Sequence, residues 1–462
     1  MKYKKSKYNY RHQLSNGDML LCNMVMGSSS FLKIPCKEVE NFEKIFSQNT
    51  IDDRDVDGDG MSGTDILISK GYFIPEHVDE LSEIRSLYYE NVMDPRLSLT
   101  IMPTEKCNFR CPYCYENFEK GQMSSKDQVA LLKYIQKQLR NHTHLHISWF
   151  GGEPLLALDT VKHIMANVQK MGKLQKKTVT SNMTTNAYLL TPETFDTLYH
   201  LGVTAYQITL DGMKEEHDKQ RVLASGAGTF DQIMQNLVVI KSRKQYRFAS
   251  FTIRINITRN NIEKIDEFVR FYQDTFGDDK RFMIRFAITG DYGGTKVEKF
   301  KENLLDGNEI QKSLKAAGVY DRLELNISDI ATNFEPMNRV CYASGRSTYT
   351  IGSDLTVYRC TIYFKDPYNH LGKITENGEM KIDHALDHVW YIKDDSFPQE
   401  CIDCVYFPCC YRAYCPLKLH FDKKYSCEIE NIKRQLDLDI EKLNRFTPFE
   451  VWGGSPMDSY HV

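Results

Sequence analysis

Three cysteines with close, uneven spacing are the residues of this chain best suited to chemistry. Cys107, Cys111 and Cys114 form a C-x3-C-x2-C pattern. Three thiolates at this spacing can ligate three irons of a 4Fe–4S cube and leave the fourth iron open to a small molecule. A zinc site would need a fourth ligand nearby, and the next downstream histidine is His142. Ligand count and softness therefore favour an iron–sulfur cluster over zinc.

Eight further cysteines lie between residues 341 and 427. They are Cys341, Cys360, Cys401, Cys404, Cys409, Cys410, Cys415 and Cys427. Cytosolic thiols stay reduced, so clusters of this kind indicate metal ligands before disulfides. On spacing alone, a two-zinc module is the alternative. The two remaining cysteines, Cys22 and Cys36, are expected to be buried thiols without a ligand role.

Six predicted strands, alternating with helices, position the first cysteine group. They cover residues 97–102, 145–149, 178–181, 205–210, 251–257 and 282–287. Each of the first five precedes a stretch with helical periodicity, which predicts a parallel α/β sheet, either barrel-like or doubly wound. The group at Cys107 follows the first strand directly, where βα loops build active sites.

The pattern of apolar residues over the first 95 residues or so predicts a separate small module. Apolar runs at 19–26 and 31–34 indicate a hairpin, Pro35 opens an amphipathic helix, and a second helix ends before a strand at 72–74. This order suggests a winged-helix-like unit. The acidic segment 52–60 resembles the start of an EF-hand loop, but Ile66 occupies the position of the closing glutamate, so we expect a solvated loop. A last helix is predicted over 431–449.

The composition argues against two classes of protein. Lys and Arg total 59 against 62 Asp and Glu, a net charge of −3, which does not suit a basic nucleic-acid binder. No stretch approaches the roughly 18 apolar residues of a membrane span, and the N-terminus lacks the apolar core of a secretory signal. We expect a cytoplasmic protein without nucleic-acid or membrane partners.

A Gly-Gly-Glu-Pro motif, taken together with the three cysteines, makes the chain similar to a known family. The second predicted strand leads into Gly151, Gly152, Glu153 and Pro154, and an aromatic residue, Tyr113, precedes the third cysteine. With the three cysteines, this order resembles the radical S-adenosylmethionine (SAM) enzymes, which implies a partial (β/α)6 TIM-like barrel. The resemblance implies that backbone groups of the Gly-Gly-Glu-Pro motif contact the amino end of SAM. Further matches put Thr209 and Arg221 near the SAM carboxylate and ribose, with Asn256 as a weaker ribose contact. For Thr209 and Asn256, ordinary strand packing is the alternative.

The second cysteine group resembles the SPASM extension, which carries two auxiliary 4Fe–4S clusters and would bring the total to three. The resemblance assigns Cys401, Cys404, Cys410 and Cys427 to the outer cluster. It assigns Cys341, Cys360 and Cys415 to the inner cluster. Leu355 replaces the glycine of the family pattern, and the gap from Cys410 to Cys415 is one residue too long. Cys409 is therefore a possible fourth inner ligand, the alternative being an open iron.

The resemblance implies four regions and a function. These are a leader-binding module (1–95), a radical SAM core (96–325), a SPASM domain (326–430) and a C-terminal helix and tail (431–462). A 5′-deoxyadenosyl radical would remove hydrogen from a ribosomally made precursor peptide, with thioether formation favoured over carbon–carbon crosslinking, epimerisation or excision. Flavodoxin or ferredoxin would donate the electron. The competing hypotheses are a sulfatase-maturating enzyme that forms formylglycine, and an iron–sulfur electron carrier or zinc-bound scaffold. No residue stands out as the catalytic acid or base.

Overall fold

The computed structural model describes residues 1–52, 63–116, 118–291, 295–316, 318–319, 330–391, 397–412, 415–417, 427, 429–446 and 450–452. The strands are β1 (Lys2–Lys5), β2 (Asn9–Gln13), β3 (Met19–Asn23), β4 (Leu32–Ile34), β5 (Thr50–Asp52), β6 (Phe73–Pro75), β7 (Arg96–Ile101), β8 (His144–Trp149), β9 (Thr178–Thr185), β10 (Val203–Thr209), β11 (Ser250–Ile257), β12 (Phe282–Ile288), β13 (Thr348–Ile351), β14 (Thr356–Tyr358), β15 (His370–Ile374), β16 (Met380–Ile382) and β17 (Glu450–Val451). The α-helices are α1 (Val39–Phe46), α2 (Gly63–Ser69), α3 (Glu80–Val92), α4 (Ser125–Gln138), α5 (Leu158–Gln175), α6 (Pro192–His200), α7 (Lys214–Gln220), α8 (Phe230–Ser242), α9 (Ile265–Phe276), α10 (Thr295–Phe300), α11 (Gly307–Ala316), α12 (His384–His388), α13 (Gln399–Ile402), α14 (Phe407–Cys410) and α15 (Ile429–Phe446).

The chain forms two compact units that interleave along the sequence. The first comprises Met1–Asp94, Leu325–Arg346 and Val389–Val462, and the second comprises Pro95–Glu324 and Ser347–His388. The four-region division expected from the sequence stays a prediction. Within the described part of the chain, no helix is both long enough and apolar enough to cross a bilayer.

A ten-stranded sheet organises the second unit. Its order is β12-β11-β10-β9-β8-β7-β13-β14-β15-β16. Strands β7 to β12 are mutually parallel and in sequence order, which confirms the predicted parallel α/β sheet. All six predicted strands are present, with ends that differ by a few residues. Hydroxyl side chains cap two of the helices between them: Ser124 accepts from the third residue of α4, and Thr191 does so for α6.

The same sheet continues into residues 347–388, where the sequence analysis predicted metal-ligating cysteines but no strands. β13 pairs in parallel with β7, and β14, β15 and β16 follow as an antiparallel meander. These strands have three to five residues, which is too short for a clear alternation of polar and apolar positions. Residues 347–388, predicted as part of the auxiliary-cluster region, therefore extend the sheet of the second unit.

The N-terminal part of the first unit contains the predicted hairpin and helices. β3 and β4 pair antiparallel, α1 and α2 follow, and β6 comes after α2. Strands β1 and β2 were not predicted, because charged and polar residues dominate both of them. The winged-helix classification stays a prediction. The predicted acidic loop over 52–60 lies outside the described residues except for Asp52, which ends β5. Cys22 is buried as expected, but Cys36 is exposed, because it lies in a short 3-10 turn after Pro35.

A strand from the C-terminal end of the chain completes the sheet of this module. β17 pairs in parallel with β4, and the Trp452 amide donates to the Lys33 carbonyl at 2.9 Å. The Trp452 ring lies 5.5 Å edge-on from Phe42 within the module's apolar core. An ion pair of 2.9 Å between Lys70 and Glu450 adds to this contact. The C-terminal segment is thus part of the N-terminal module's core.

We expect Trp452→Ala to lower the free energy of unfolding by about 3 kcal/mol, because it removes a large side chain that is only 6% exposed. Urea denaturation followed by circular dichroism measures the loss. Phe248→Ala is the matched control, because Phe248 is 84% exposed and its removal should change stability by less than about 0.5 kcal/mol. Equal effects of the two substitutions would contradict the packing described.

Candidate active site

The loop after β7 holds the first cysteine group in place by strand-like pairing. Arg110 donates its amide to the Val222 carbonyl at 2.9 Å, and the Ala224 amide donates to the Asn108 carbonyl at 2.8 Å. An isolated bridge joins Phe109 to the same segment. Because the loop is paired on one side, Cys107, Cys111 and Cys114 are presented from a fixed backbone.

The three thiols lie in a low-dielectric setting and influence one another. Cys111 is buried, and Cys107 and Cys114 are half-buried. Burial raises the pKa of Cys107 to about 12 and raises the pKa of the other two thiols. Metal binding would therefore release protons from these thiols. Within the described residues, no three His, Cys, Asp or Glu side chains converge as ligands of one ion. Thiolates that bind different irons of a cube lie further apart than ligands of a single ion.

The Gly-Gly-Glu-Pro loop after β8 touches the backbone just before the first cysteine. Gly151 and Gly152 have φ values of +84° and +45°. A Cβ on Gly152 would lie 2.2 Å from the carbonyl oxygen of Lys106, and a Cβ on Gly151 would lie 2.5 Å from a methyl carbon of Met102. Only glycine fits such a close approach. The Glu153 amide then donates to the same Lys106 carbonyl at 2.9 Å.

Glu153 is a positioning residue that ties this loop to the end of β9. Its buried carboxylate accepts from the Leu155 amide at 3.0 Å, the Thr185 hydroxyl at 2.6 Å and the Asn186 amide at 2.7 Å. Pro154 begins a short 3-10 helix at this point. The carboxylate accepts these three hydrogen bonds from its own loop and from the end of β9, so the side chain holds the loop in shape.

Tyr113 lies at the centre of a polar network that collects three of the predicted SAM contacts. Its hydroxyl donates to Asp211, accepts from Arg221 at 2.7 Å and accepts from the Asn256 amide group at 3.3 Å. The other carboxylate oxygen of Asp211 accepts from the Asn256 backbone amide at 3.0 Å. Burial raises the pKa of Asp211, and Arg221, with a closest ion-pair distance of 4.0 Å, opposes this rise.

Arg221 has unused donor capacity at the site. Its side chain is only 7% exposed, and its Nε lies buried without a hydrogen-bond partner among the described residues. Its guanidinium also lies 5.5 Å from the centre of the Phe109 ring in the cysteine loop. A buried cation with a free donor suits a carboxylate ligand. Three gathered thiols, a glycine cradle and this arginine therefore fit an iron–sulfur cluster with SAM.

Two acidic residues of this site were given no role by the sequence analysis. Asp211 belongs to a Leu-Asp-Gly motif at the end of β10, and its position after a strand was the available signal. Glu116 accepts from the Gly152 amide at 2.5 Å, and desolvation raises its pKa to about 7. No sequence pattern marks Glu116, because the contact depends on how two loops fold against each other.

Comparison with known proteins agrees with this geometry. Residues 101–272 match the Radical SAM superfamily. The chain carries a radical SAM domain. It is 26% identical over 346 residues to the cysteine-type anaerobic sulfatase-maturating enzyme of Clostridium novyi (strain NT), covering 68% of this chain and 86% of that one. It is 24% identical over 165 residues to the radical SAM cyclopropyl synthase TigE of Paramaledivibacter caminithermalis, covering 32% and 34% respectively.

The fold has a counterpart among solved structures. Native anSMEcpe with bound AdoMet and Cp18Cys peptide superimposes with a TM-score of 0.57 at 20% identity, covering 76% of this chain and 99% of that chain. This likeness shows the radical SAM α/β fold with its parallel sheet.

The parallel sheet of the radical SAM domain has one apolar and one polar face. Residues in register across β7 to β12 share a face, and the apolar face is buried. The opposite face, called the polar face below, comprises Arg96, Ser98, Thr100, His144, His146, Ser148, Thr178, Thr180, Asn182, Thr184, Ala205, Gln207, Thr209, Ser250, Thr252, Arg254, Asn256, Met283, Arg285 and Ala287. Because Asn256 contacts Tyr113, the polar face continues into the site. Thr209 lies on it beside Arg254.

The histidines of β8 belong to this polar face. β8 lies between β7 and β9, and both of its histidines are half-buried. His144 and His146 both contact the Thr180 hydroxyl, at 2.7 and 2.9 Å. The Asn182 amide donates to His146 Nε2 at 3.1 Å, and burial lowers the pKa of His146. His146 is therefore neutral at pH 7.

Four of the second-group cysteines gather in the first unit. Burial raises the pKa of Cys404, and the nearby thiols of Cys410, Cys427 and Cys401 raise it further. The Cys404 amide donates to the Cys401 carbonyl at 3.1 Å, and α14 carries Cys410. These are the four residues that the resemblance assigns to an outer cluster, an assignment that stays a prediction.

The remaining cysteines of the second group differ in their surroundings. Cys409 is buried in the first unit's core, and its thiol donates to the Tyr406 carbonyl at 3.2 Å. Cys341 and Cys415 are half-buried in the same unit. Cys360 lies in the second unit, where Asn369 binds its backbone amide and carbonyl at 2.8 and 3.0 Å. Their ligand roles stay predictions.

The backbone conformation at Leu355 explains why the family pattern has glycine at this position. Leu355 adopts a φ of +68° in the turn between β13 and β14, a conformation that favours glycine. Its side chain is buried, which offsets the backbone strain. The departure at Leu355 therefore preserves the turn that leads to Cys360.

A cavity of about 270 Å³ lies between the cysteine loop and the Cys360 loop of the second unit. Its lining includes the aromatic side chains of Tyr115, Phe118, Tyr358, Tyr363 and Phe364. Charged groups at Glu105 and Lys120 also line it. A space of this kind suits one amphipathic side chain of a substrate.

We expect Gly152→Ala to weaken SAM binding by about tenfold or more, because the added methyl group would overlap the Lys106 carbonyl and displace the cysteine loop. Equilibrium dialysis with labelled SAM on the anaerobically reconstituted protein measures this change. Gly121→Ala is the matched control, since a Cβ at Gly121 meets no atom within 4 Å. An unchanged affinity in Gly152→Ala would show that the two loops are not coupled.

Proposed function

We propose that this chain is a peptide-modifying radical SAM enzyme that acts on a ribosomally made precursor and installs thioether crosslinks between a cysteine sulfur and a carbon. The observation that carries the proposal is the gathering of Cys401, Cys404, Cys410 and Cys427 in a chain that already has a radical SAM domain. A second set of soft ligands beyond the radical site suits an enzyme that must dispose of an extra electron.

We assign different roles to the residues of the radical SAM site. A 4Fe–4S cluster on Cys107, Cys111 and Cys114 with bound SAM would supply a carbon-centred radical able to remove hydrogen from a peptide. Gly151 and Gly152 leave room for a ligand beside the cysteine loop, and Glu153 and Pro154 fix their backbone. Arg221 offers its free Nε to a carboxylate. Tyr113, Asn256 and Thr209 would line the ribose side.

Two auxiliary clusters would complete a set of three. We assign Cys401, Cys404, Cys410 and Cys427 to the outer one, and Cys341, Cys360 and Cys415 to the inner one. Cys409 remains an alternative inner ligand, although its thiol already donates to a carbonyl within its own turn. Thioether formation removes one hydrogen atom from carbon and one proton from the thiol, and an auxiliary cluster held by these cysteines would supply the acceptor for the remaining electron.

The peptide partner is supported by two kinds of observation. The sulfatase-maturating enzyme is similar over most of its length, and anSMEcpe binds a peptide in its solved structure. In the N-terminal module, β2 pairs only with β3 among the described residues, so its outer edge can accept an extended leader strand. Flavodoxin or ferredoxin would supply the electron in a cytoplasmic setting.

The test is anaerobic co-expression with the small peptide encoded beside the gene, followed by exact mass measurement. We expect paired-hydrogen loss together with fewer alkylatable thiols, because each thioether consumes one thiol. The control enzyme carries Cys107→Ala, Cys111→Ala and Cys114→Ala, and its peptide should be unmodified. Paired-hydrogen loss with all thiols free would indicate a carbon–carbon link instead. Loss of sulfur would indicate formylglycine, the reaction favoured by the similarity to the Clostridium enzyme.

Iron content tests the cluster assignment separately. We expect roughly twelve irons per reconstituted chain and a decrease of about four in Cys404→Ser, because one ligand of the outer cluster is lost. Colorimetric iron analysis measures both values. Cys36→Ser is the control, since Cys36 is exposed and lies outside both groups. A count near four in the native protein would eliminate the auxiliary clusters.

A further inference from the structure

Two arginines lie side by side on neighbouring strands of the polar face. Arg254 of β11 and Arg285 of β12 are in-register partners, one step of about 4.8 Å apart across the sheet. Arginine keeps its charge at any physiological pH. Like charges directly opposite each other destabilise a sheet. The pair therefore costs stability unless an anion lies against it.

The buried acid that interacts electrostatically with Arg254, Asp211, is already engaged by other groups. Arg254 donates its Nε to the Asn256 side chain at 2.9 Å, and it forms no ion pair within the described part of the chain. Asp211 is the nearby acid, but its two oxygens are already bound to Tyr113 and to the Asn256 amide. Arg285 is exposed and makes no hydrogen bond or ion pair with a described residue.

The rest of the polar face reinforces this imbalance. Its twenty positions include Arg, His, Ser, Thr and Asn but neither Asp nor Glu. The neutral state of His146 leaves the arginines as the main fixed charges in the middle of this face. A surface with one sign of charge attracts and orients the opposite sign.

We propose that Arg254 and Arg285 form a carboxylate-binding subsite that selects an acidic peptide segment next to the reacting residue. Two arginines on neighbouring strands can each donate to one carboxylate, whose two oxygens suit the planar guanidinium group. The carboxylate is either an Asp or Glu side chain or the C-terminus of the peptide. The proposal rests on the proposed function, because it names the substrate class that the same site accepts.

The pair borders the expected SAM contacts Thr209 and Asn256 but lies deeper along the strands than Asn256. Arg254 precedes Asn256 by two residues on the same strand face, so it lies roughly 7 Å deeper along the strand. Asn256 contacts Tyr113 directly, and Arg221 already offers a free donor beside the cysteine loop. A carboxylate bound at Arg254 and Arg285 would therefore belong to a molecule that extends below SAM.

Three pentapeptides with blocked N-termini, the first two also blocked at the C-terminus, test the subsite by titration into the reconstituted, SAM-loaded enzyme under anaerobic conditions. The first has a central glutamate among four glycines, the second has glutamine there, and the third has glutamine with a free C-terminal carboxylate. We expect the glutamate peptide to bind at least about tenfold more tightly than the glutamine peptide. Tighter binding of the third peptide alone would assign the subsite to a C-terminus. Equal binding of all three, or none up to about 20 mM, would overturn the proposal.

Substitutions connect the preference to the named residues. Arg285→Gln should reduce the preference for glutamate to less than about twofold and raise the thermal midpoint of unfolding, because a like-charge neighbour is removed. Arg285→Glu should reverse the preference toward a lysine-containing peptide. Arg247→Gln, on an exposed turn, should retain the native preference. A glutamate preference that survives Arg285→Gln would refute the assignment.

SAM affinity and peptide modification complete the test. A tenfold loss of SAM affinity in Arg285→Gln, with the peptide preference intact, would assign the pair to the SAM carboxylate and overturn the subsite. The co-expression assay reports the proposed function independently. An unmodified precursor beside a clear glutamate preference would reject the proposed function while keeping the subsite. A modified precursor without a glutamate preference would do the opposite.

Discussion

The carbonyl group of Lys106 is the point on which the active site depends. It accepts the Glu153 amide at 2.9 Å, and Gly152 approaches it so closely that a Cβ would lie 2.2 Å away. The residue after Lys106 is Cys107, so this contact fixes the first thiol relative to the glycine loop. Parallel strands end at the same edge of the sheet, which is why two loops distant in sequence meet here. The buried Glu153 carboxylate then carries the same constraint to β9.

A second constraint follows from the register of the parallel sheet. In-register residues share a face, so one face packs apolar side chains and the other collects polar ones. This arrangement places Thr209, Asn256 and the two arginines together although they belong to three strands. The polar face also continues into the network around Tyr113 through one hydrogen bond. Any molecule that contacts Tyr113 therefore has a polar surface beneath it.

The sequence predicted the six parallel strands and the two loops because both signals are local. Buried strands have apolar residues in short runs, and the cysteine and glycine motifs are contiguous. It missed β13 to β16, because strands of three to five residues show no clear alternation of polar and apolar positions. Asp211 and Glu116 were given no role for another reason. Their roles depend on contacts between loops, such as the one from the Gly152 amide to Glu116.

Several buried groups of the site are energetically unfavourable in the protein alone, and this indicates which ligands the site would bind. Cys107 and Cys111 have raised pKa values, the buried Asp211 carboxyl group is only partly compensated by Arg221, and the Nε of Arg221 is unsatisfied. Each of these features is unfavourable in a folded chain without a ligand. Soft cations would stabilise the thiolates, and a carboxylate would satisfy the arginine. Binding of these ligands would thus compensate part of the unfavourable free energy of the buried groups. A preorganised site is in this way compatible with a stable fold.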